Sequence, residues 1–102
     1  MKQIIAIVKP FLTDKVLASL KRAPLEALSI REVKGFGRHR HFTGEETENE
    51  FSMAFLPKVE ISMWVEDARL EETLAKVTEA ASSQRIGDGK VFVVPVDVTR
   101  VF

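Results

Sequence analysis

Apolar and polar residues alternate along several short segments of the chain, a pattern typical of strands with one buried face. In the clearest of these segments, four apolar residues alternate with four more polar or larger ones: Val59, Ile61, Met63 and Val65 against Lys58, Glu60, Ser62 and Trp64. A β-branched run and two further segments complete a predicted set of four strands, at residues 3–8, 28–35, 58–65 and 90–96.

Two other segments have apolar residues at helical spacing. The first follows Thr13 as predicted N-cap and spans residues 14–23, and the second follows Asp67 as predicted N-cap and ends near Ser82. The resulting β-α-β-β-α-β order predicts an α+β fold, the ferredoxin-like split βαβ arrangement, with both helices on one face of an antiparallel sheet. Trp64 and Phe92 alternate with the core residues along their strands, so we expect them on the other face of the sheet. This second face would then be apolar, and oligomerisation would bury it.

Composition narrows the class of protein. The 102 residues contain 45% hydrophobic residues, which predicts a single domain over residues 1–102. The formal net charge is zero, which gives no reason to expect nucleic acid or an anionic membrane as a partner. Cysteine is absent from the sequence, which excludes disulfides and thiolate chemistry. With no apolar segment long enough to span a bilayer, we expect a cytoplasmic protein that does not insert into membranes.

A polar loop of about twenty residues separates the second and third predicted strands. Loops of this length are usually functional or disordered. Three stretches, two of them in or beside this loop and one before the last predicted strand, combine flexible backbone with cations: "KGFGRHRH" at 34–41, "FLPK" at 55–58 and "RIGDGK" at 85–90. Such stretches suit an anionic, phosphorylated ligand, because glycine exposes N–H groups and Arg and Lys donate charge-assisted hydrogen bonds. The alternative is that the glycines only shape turns and that the cations are solvated.

The positions of these stretches in the predicted fold favour a shared site. The end of the second strand and the start of the fourth can lie at the same edge of the sheet, so their loops could converge on one ligand. Adjacent subunits could complete that site.

Four segments together resemble the PII nitrogen-regulatory signal proteins: "MKQIIAIVKPF", "EVKGFGR", "FLPKVEI" and "IGDGKVFVVPV". The resemblance covers essentially the whole chain. It implies a homotrimer that binds an adenine nucleotide (ATP, ADP or AMP, with Mg²⁺ as an optional companion) in clefts between subunits. It also implies that the loop, about residues 37–55 and called the T-loop in this family, regulates a membrane transporter or an enzyme by binding. The chain itself is then not an enzyme.

The resemblance also assigns residues to the nucleotide site. At the base of the T-loop and in the second glycine-rich loop they would be Gly35, Gly37, Arg38, Gly87, Asp88, Gly89 and Lys90. The base pocket would be lined by Ile7, Leu28, Ser29 and Trp64. Lys58 corresponds to the lysine that faces 2-oxoglutarate in the family. Of two arginines that grip the phosphates, only Arg100 has a counterpart here, so we expect weaker nucleotide binding than usual.

Departures from the family pattern change other expectations. His39 stands where the family has a glutamine that helps to position Mg²⁺ and 2-oxoglutarate, and an imidazole cannot replace both functions of an amide, which argues against 2-oxoglutarate sensing. Phe51 replaces the tyrosine that some members uridylylate, and a phenyl ring has no hydroxyl to modify.

Two other functions are left open by the residues. In the first, His39 and His41, with nearby glutamates, bind zinc, copper or nickel, and the trimer is metal-responsive with a weakened nucleotide site. The alternative is that these histidines belong to a solvated, cationic segment at the base of the loop and bind no metal. In the second, the fold carries a slow ATPase or acylphosphatase-like activity, although the sequence offers no convincing pair of nucleophile and base.

Overall fold

The computed structural model describes residues 1–35, 43–53, 55–82, 89–100 and 102. Its helices and strands are β1 (Lys2–Val8), α1 (Thr13–Ser19), β2 (Ala27–Gly35), α2 (Glu48–Met53), β3 (Leu56–Val65), α3 (Leu70–Ala81) and β4 (Gly89–Pro95). The predicted β-α-β-β-α-β order is confirmed, with α2 as an additional short helix inside the long loop. Within the described parts of the chain, no helix is long and apolar enough to cross a membrane.

The four strands form one sheet in the order β2-β3-β1-β4, and each neighbouring pair is antiparallel. This is the ferredoxin-like topology, in which each βαβ unit leaves a gap that a strand of the other unit fills. The register aligns Glu32, Val59, Val8 and Gly89 across the sheet. That row lies at the end of the sheet from which the long loop leaves.

One face of the sheet packs against the helices and forms the core. Alternate residues of β1 and β3 supply most of it: Ile4, Ala6, Val8, Val59, Ile61, Met63 and Val65. Val16 and Leu20 from the first helical segment and Val77 from α3 cover them. Burying each large apolar side chain contributes about 1.5–3 kcal/mol, so this face accounts for much of the stability of the domain.

Both predicted helix caps are wrong, for the same physical reason. A 3-10 turn, Pro10–Leu12, leads directly into α1, so Thr13 has helical dihedral angles (φ −57°, ψ −50°) instead of the extended backbone of an N-cap. The buried Thr13 hydroxyl has no hydrogen-bond partner among the described residues. Asp67 likewise begins a 3-10 turn, Asp67–Arg69, before α3.

The opposite face of the sheet, which will be called the open face, carries no helix among the residues that the structure describes. It contains the residues of the other parity, among them Ile5, Ile7, Trp64, Phe92 and Val94. Phe92 is 50% exposed and Val94 is 38% exposed. The predicted apolar second face is therefore confirmed, and an apolar face of this kind is a common mark of an interaction surface.

Candidate functional site

The structure brings together three of the four residues predicted to line the base pocket. Ile7, Ser29 and Trp64 all lie on the open face, because each pairs in register with other residues of that face. Leu28 pairs with the buried Met63 and therefore lies on the helix-covered side. Ala27, directly opposite Trp64, takes its place on the open face. The alternation of β2 alone would have selected Ala27 instead of Leu28.

Three cross-strand pairs of β2 and β3 lie in a row on the open face. They are Ala27 with Trp64, Ser29 with Ser62, and Arg31 with Glu60. Ala27 and Ser29 are exposed, Trp64 is partly exposed, and Ser62 is buried.

The last of these pairs, Arg31 with Glu60, is an ion pair that sequence analysis missed. Arg31 Nε donates a hydrogen bond to Glu60 Oε2 at 2.9 Å, and Arg31 Nη2 donates to the same oxygen. The Glu60 side chain is 16% exposed and that of Arg31 is 70% exposed, so the carboxylate lies nearer to the sheet. The pairing depends on the β2–β3 register, which the long loop between the strands hides from sequence analysis.

The bases of the two glycine-rich loops lie at the same end of the sheet but at opposite edges. Gly35 ends β2 at one edge, and Gly89 begins β4 at the other. Two strands separate them, which corresponds to about 14 Å at the usual strand spacing. The expectation that both loops lie at one edge is therefore wrong for a single chain, and a site that uses both needs a neighbouring chain.

Gly89 and Lys90 start β4 beside the end of β1. A Cβ atom at Gly89 would collide with the carbonyl oxygen of Ile7, so glycine allows close approach of the two strands at this point. The following residue, Lys90, is exposed, and it pairs in register with Ile7 on the open face. The structure therefore brings two of the predicted site residues, Ile7 and Lys90, side by side.

A cleft of about 450 Å³ lies at the base of the long loop. Residues from the end of β2, the start of β3 and the turn after β1 line it: Pro10, Glu32, Val33, Lys34, Pro57, Lys58 and Val59. Lys58, predicted to face a small anion, is among them and is half-buried. Two lysines and one glutamate in an otherwise apolar cleft suit a small ligand with negative charge.

The described part of the T-loop has its own local structure. The Glu46 carboxylate accepts hydrogen bonds from the backbone N–H of Thr43 at 2.7 Å and of Gly44 at 3.0 Å. These bonds, that from Thr43 first, lower the pKa of Glu46, while partial desolvation opposes them.

A side-chain cap then begins α2. Thr47 Oγ1 accepts a hydrogen bond from the backbone N–H of Glu50 at 3.1 Å. The sequence Thr47-x-x-Glu50 is the capping-box signature, which would have predicted this helix. Phe51 on α2 packs edge-to-face on Phe55, with ring centroids 5.1 Å apart.

The remaining predicted residues have different outcomes. Gly35 lies at the end of β2 with open space around it, and Arg100 is exposed after β4. Gly37, Arg38, His39, His41, Gly87 and Asp88 lie outside the described residues. Among the residues that are described, no group of three or more His, Cys, Asp or Glu side chains could hold a metal ion.

Fold and site define a ferredoxin-like α+β domain with a long loop between β2 and β3 and cations around the base of that loop. The family model described as Nitrogen regulatory protein P-II matches residues 1–102, and the chain belongs to this family. It is 41% identical to the Nitrogen regulatory protein P-II of Azospirillum brasilense over 97 residues, which cover 95% of this chain and 87% of that protein.

Other relatives agree. The protein of the same name from Rhodospirillum rubrum has the same identity and coverage, and that from Microchaete diplosiphon is 36% identical over 97 residues, again 95% of this chain and 87% of the relative. The expected class of protein, a nitrogen-regulatory signalling protein and not an enzyme, agrees with this family. Neither the comparisons nor the described residues support the metal-responsive alternative.

Proposed function

We propose that this protein is a homotrimeric sensor that binds adenine nucleotides in clefts between its subunits and regulates a transporter or an enzyme through its T-loop. The observation that carries the proposal is the position of the two loop bases, at one end of the sheet but at opposite edges. A ligand that needs both loops must lie between two chains.

The open face supports assembly. Its apolar residues, with Phe92 half exposed, gain stability when a second copy covers them. β2 and β4 are the two edges of the sheet, and in the proposed trimer the β2 edge of one chain would lie near the β4 edge of the next. The same contact would bring the loop after β2 of one chain near the loop before β4 of its neighbour.

The chemistry of the two loops fits a nucleotide. Gly37, Arg38, Gly87 and Asp88 would complete the phosphate site together with Lys90, whose ammonium group is a strong partner for a phosphate oxygen. Lys58 and Lys34, in the cleft at the base of the T-loop, add positive charge nearby. The nucleotide would then be ATP, ADP or AMP, with Mg²⁺ bound beside the phosphates.

The regulatory step would be a population shift. Gly35 ends β2 immediately before the T-loop, and glycine can adopt backbone conformations that other residues rarely adopt. A ligand that contacts the base of the T-loop in one arrangement and not in another shifts the population of the two. The partner protein then binds one arrangement of the loop in preference to the other.

Calorimetric titration with AMP, ADP and ATP, each with and without Mg²⁺, tests the proposal. We expect micromolar binding by the wild-type protein and a loss of about ten- to a hundredfold in affinity for Lys90→Ala, since the substitution removes a charge-assisted contact. Lys15→Ala, on the exposed side of α1, is the matched control and should bind as the wild type does. A wild-type protein that binds none of the three nucleotides would refute the proposal.

A further inference from the structure

Most of the residues that line the cleft at the base of the long loop lie on the helix-covered side of the sheet. Glu32 pairs in register with Val59, which belongs to the core on that side. Lys34, two residues further along β2, pairs with Pro57 and shares the same side. Pro10 lies in the turn that leads into α1. The residues predicted to surround the nucleotide base lie on the open face, so this cleft is a separate place on the molecule.

Two side chains of opposite charge in this cleft make no ion pair within the described parts of the chain. Glu32 and Lys34 are both exposed, and neither contacts the other or a third described group of opposite charge. They are two positions apart on β2, which places their Cα atoms about 7 Å apart on the same side of the strand. One small molecule can therefore contact both groups at once.

The rest of the lining on this side of the sheet is apolar. It consists of the rings of Pro10 and Pro57 and the side chain of Val59. The volume of about 450 Å³ lies within the usual range for small-molecule sites. A ligand that fits the cleft should therefore combine an anionic group, a cationic group and an apolar part.

We propose that this cleft binds a free α-amino acid with an apolar side chain, its ammonium group on Glu32 and its carboxylate on Lys34. At neutral pH such a molecule carries both charges, so each end meets a side chain of opposite sign. Its apolar side chain packs against the two proline rings, which removes apolar surface from water. The inference goes beyond the proposed function, because it adds a second kind of ligand on the other face of the sheet.

The cleft lies where the T-loop leaves the sheet. Lys34 precedes Gly35, the last residue of β2, and Pro57 follows Leu56, the first residue of β3. An amino acid in the cleft thus contacts both strands at the two ends of the loop. Its binding favours those arrangements of the loop in which the two strand ends keep the spacing of the occupied cleft.

The test compares L-leucine with two analogues that each lack one charge. The first is 4-methylpentanoate, which has no ammonium group, and the second is 3-methylbutylamine, which has no carboxylate. Each is titrated into the isotope-labelled protein without nucleotide, and the amide NMR signals of Val33, Lys34 and Val59 are followed. Leucine should shift these signals saturably. Each analogue should bind about two- to fivefold less tightly, the range for one exposed ion pair.

Two substitutions assign the charges of the ligand to the two side chains. Glu32→Gln should weaken leucine binding about two- to fivefold and should not weaken the binding of 4-methylpentanoate, which has no ammonium group to lose a partner. Lys34→Gln should weaken leucine binding to a similar extent and should not weaken the binding of 3-methylbutylamine. Glu79→Gln, at an exposed position of α3, is the matched control and should leave all three affinities unchanged.

The absence of saturable shifts at the amides of the cleft would overturn the inference. Leucine binding that neither Glu32→Gln nor Lys34→Gln weakens would also overturn it, because the charges would then play no part. Shifts confined to the open face around Trp64 would place the ligand elsewhere and refute the assignment to this cleft. Since no nucleotide is present in these titrations, none of the outcomes depends on the proposed function.

Discussion

Asp67 shows how a single side chain can have a different partner from the one that sequence suggests. Its carboxylate contacts the N-terminal ammonium group of Met1 at 2.9 Å and Lys2 Nζ at 3.9 Å, instead of capping a helix. The hydrogen bond from the N-terminal amine is the main cause that lowers the pKa of Asp67, with Lys2 contributing in the same direction and desolvation opposing. This contact ties the start of β1 to the turn before α3.

The lowered pKa of Asp67 predicts a pH-dependent contribution to stability. A carboxylate whose folded pKa lies below its ordinary value of 3.8 stabilises the fold above that value, and this stabilisation is lost as the pH falls through the folded pKa. Asp67→Asn should therefore lower the melting temperature slightly at neutral pH, and the difference from wild type should vanish in stronger acid. Asp97→Asn, in the exposed segment after β4, is the control. A difference that is constant over the whole acid range would contradict this role.

The two described glycines at the bases of the loops should respond differently to alanine. At Gly89 a Cβ atom would collide with the Ile7 carbonyl, whereas at Gly35 it would meet open space. Gly89→Ala should therefore lower the free energy of unfolding by about 1–3 kcal/mol, the usual cost of overpacking. Gly35→Ala, the matched control, should change it far less. Urea unfolding of both variants measures the difference, and equal effects would mean that the contact with Ile7 is unimportant.

At the scale of the elements, α2 depends on its cap. It has only six residues, Glu48–Met53, so little of its stability comes from its own backbone hydrogen bonds. Thr47→Ala removes the acceptor for the Glu50 N–H and should destabilise the helix locally by about 0.5–2 kcal/mol. Hydrogen exchange at the Glu50 and Phe51 amides should accelerate accordingly. Thr78→Ala, at an exposed position inside α3, is the control and should leave the exchange rates of these two amides unchanged. A change that acts only on global stability should also leave them unchanged.

The elements that sequence predicts well are those with strict periodicity. The alternation of β3 gave its core face correctly because one side of the strand is fully buried. The N-caps predicted at Thr13 and Asp67 were wrong because a 3-10 turn precedes each helix, and such turns leave little trace in the hydrophobic pattern.

Some residues of the candidate site could be predicted from the sequence and others could not. Ile7, Ser29 and Trp64 followed from the family resemblance, and strand parity could have replaced Leu28 by Ala27. The Arg31–Glu60 pair could not be found, because it depends on a register set across residues 36–55.

At the scale of the whole molecule, we expect the open face to determine how copies of the chain assemble. Phe92, Ile5 and Trp64 form an apolar surface on the face of the sheet opposite to the helix-covered core. Covering this surface with further copies of the chain removes apolar area from water, at about 25 cal/mol per Å². The proposed trimer would therefore be stabilised mainly by this face.

Phe92→Lys tests that expectation, because it places a charge at a half-exposed position of the open face. We expect the wild-type protein to sediment as a trimer and the variant to sediment as a monomer at the same concentration, since burying an unpaired ammonium group is costly. Val93→Lys is the matched control: it lies next in the same strand and is 41% exposed, but it faces the helix-covered side. A trimer that survives Phe92→Lys, or one that Val93→Lys dissociates equally, would mean that another surface holds the subunits together. The two loop bases lie at opposite edges of the sheet, so a site that uses both loops needs two neighbouring chains. If Phe92→Lys also abolishes nucleotide binding while each chain stays folded, the loss supports such a site.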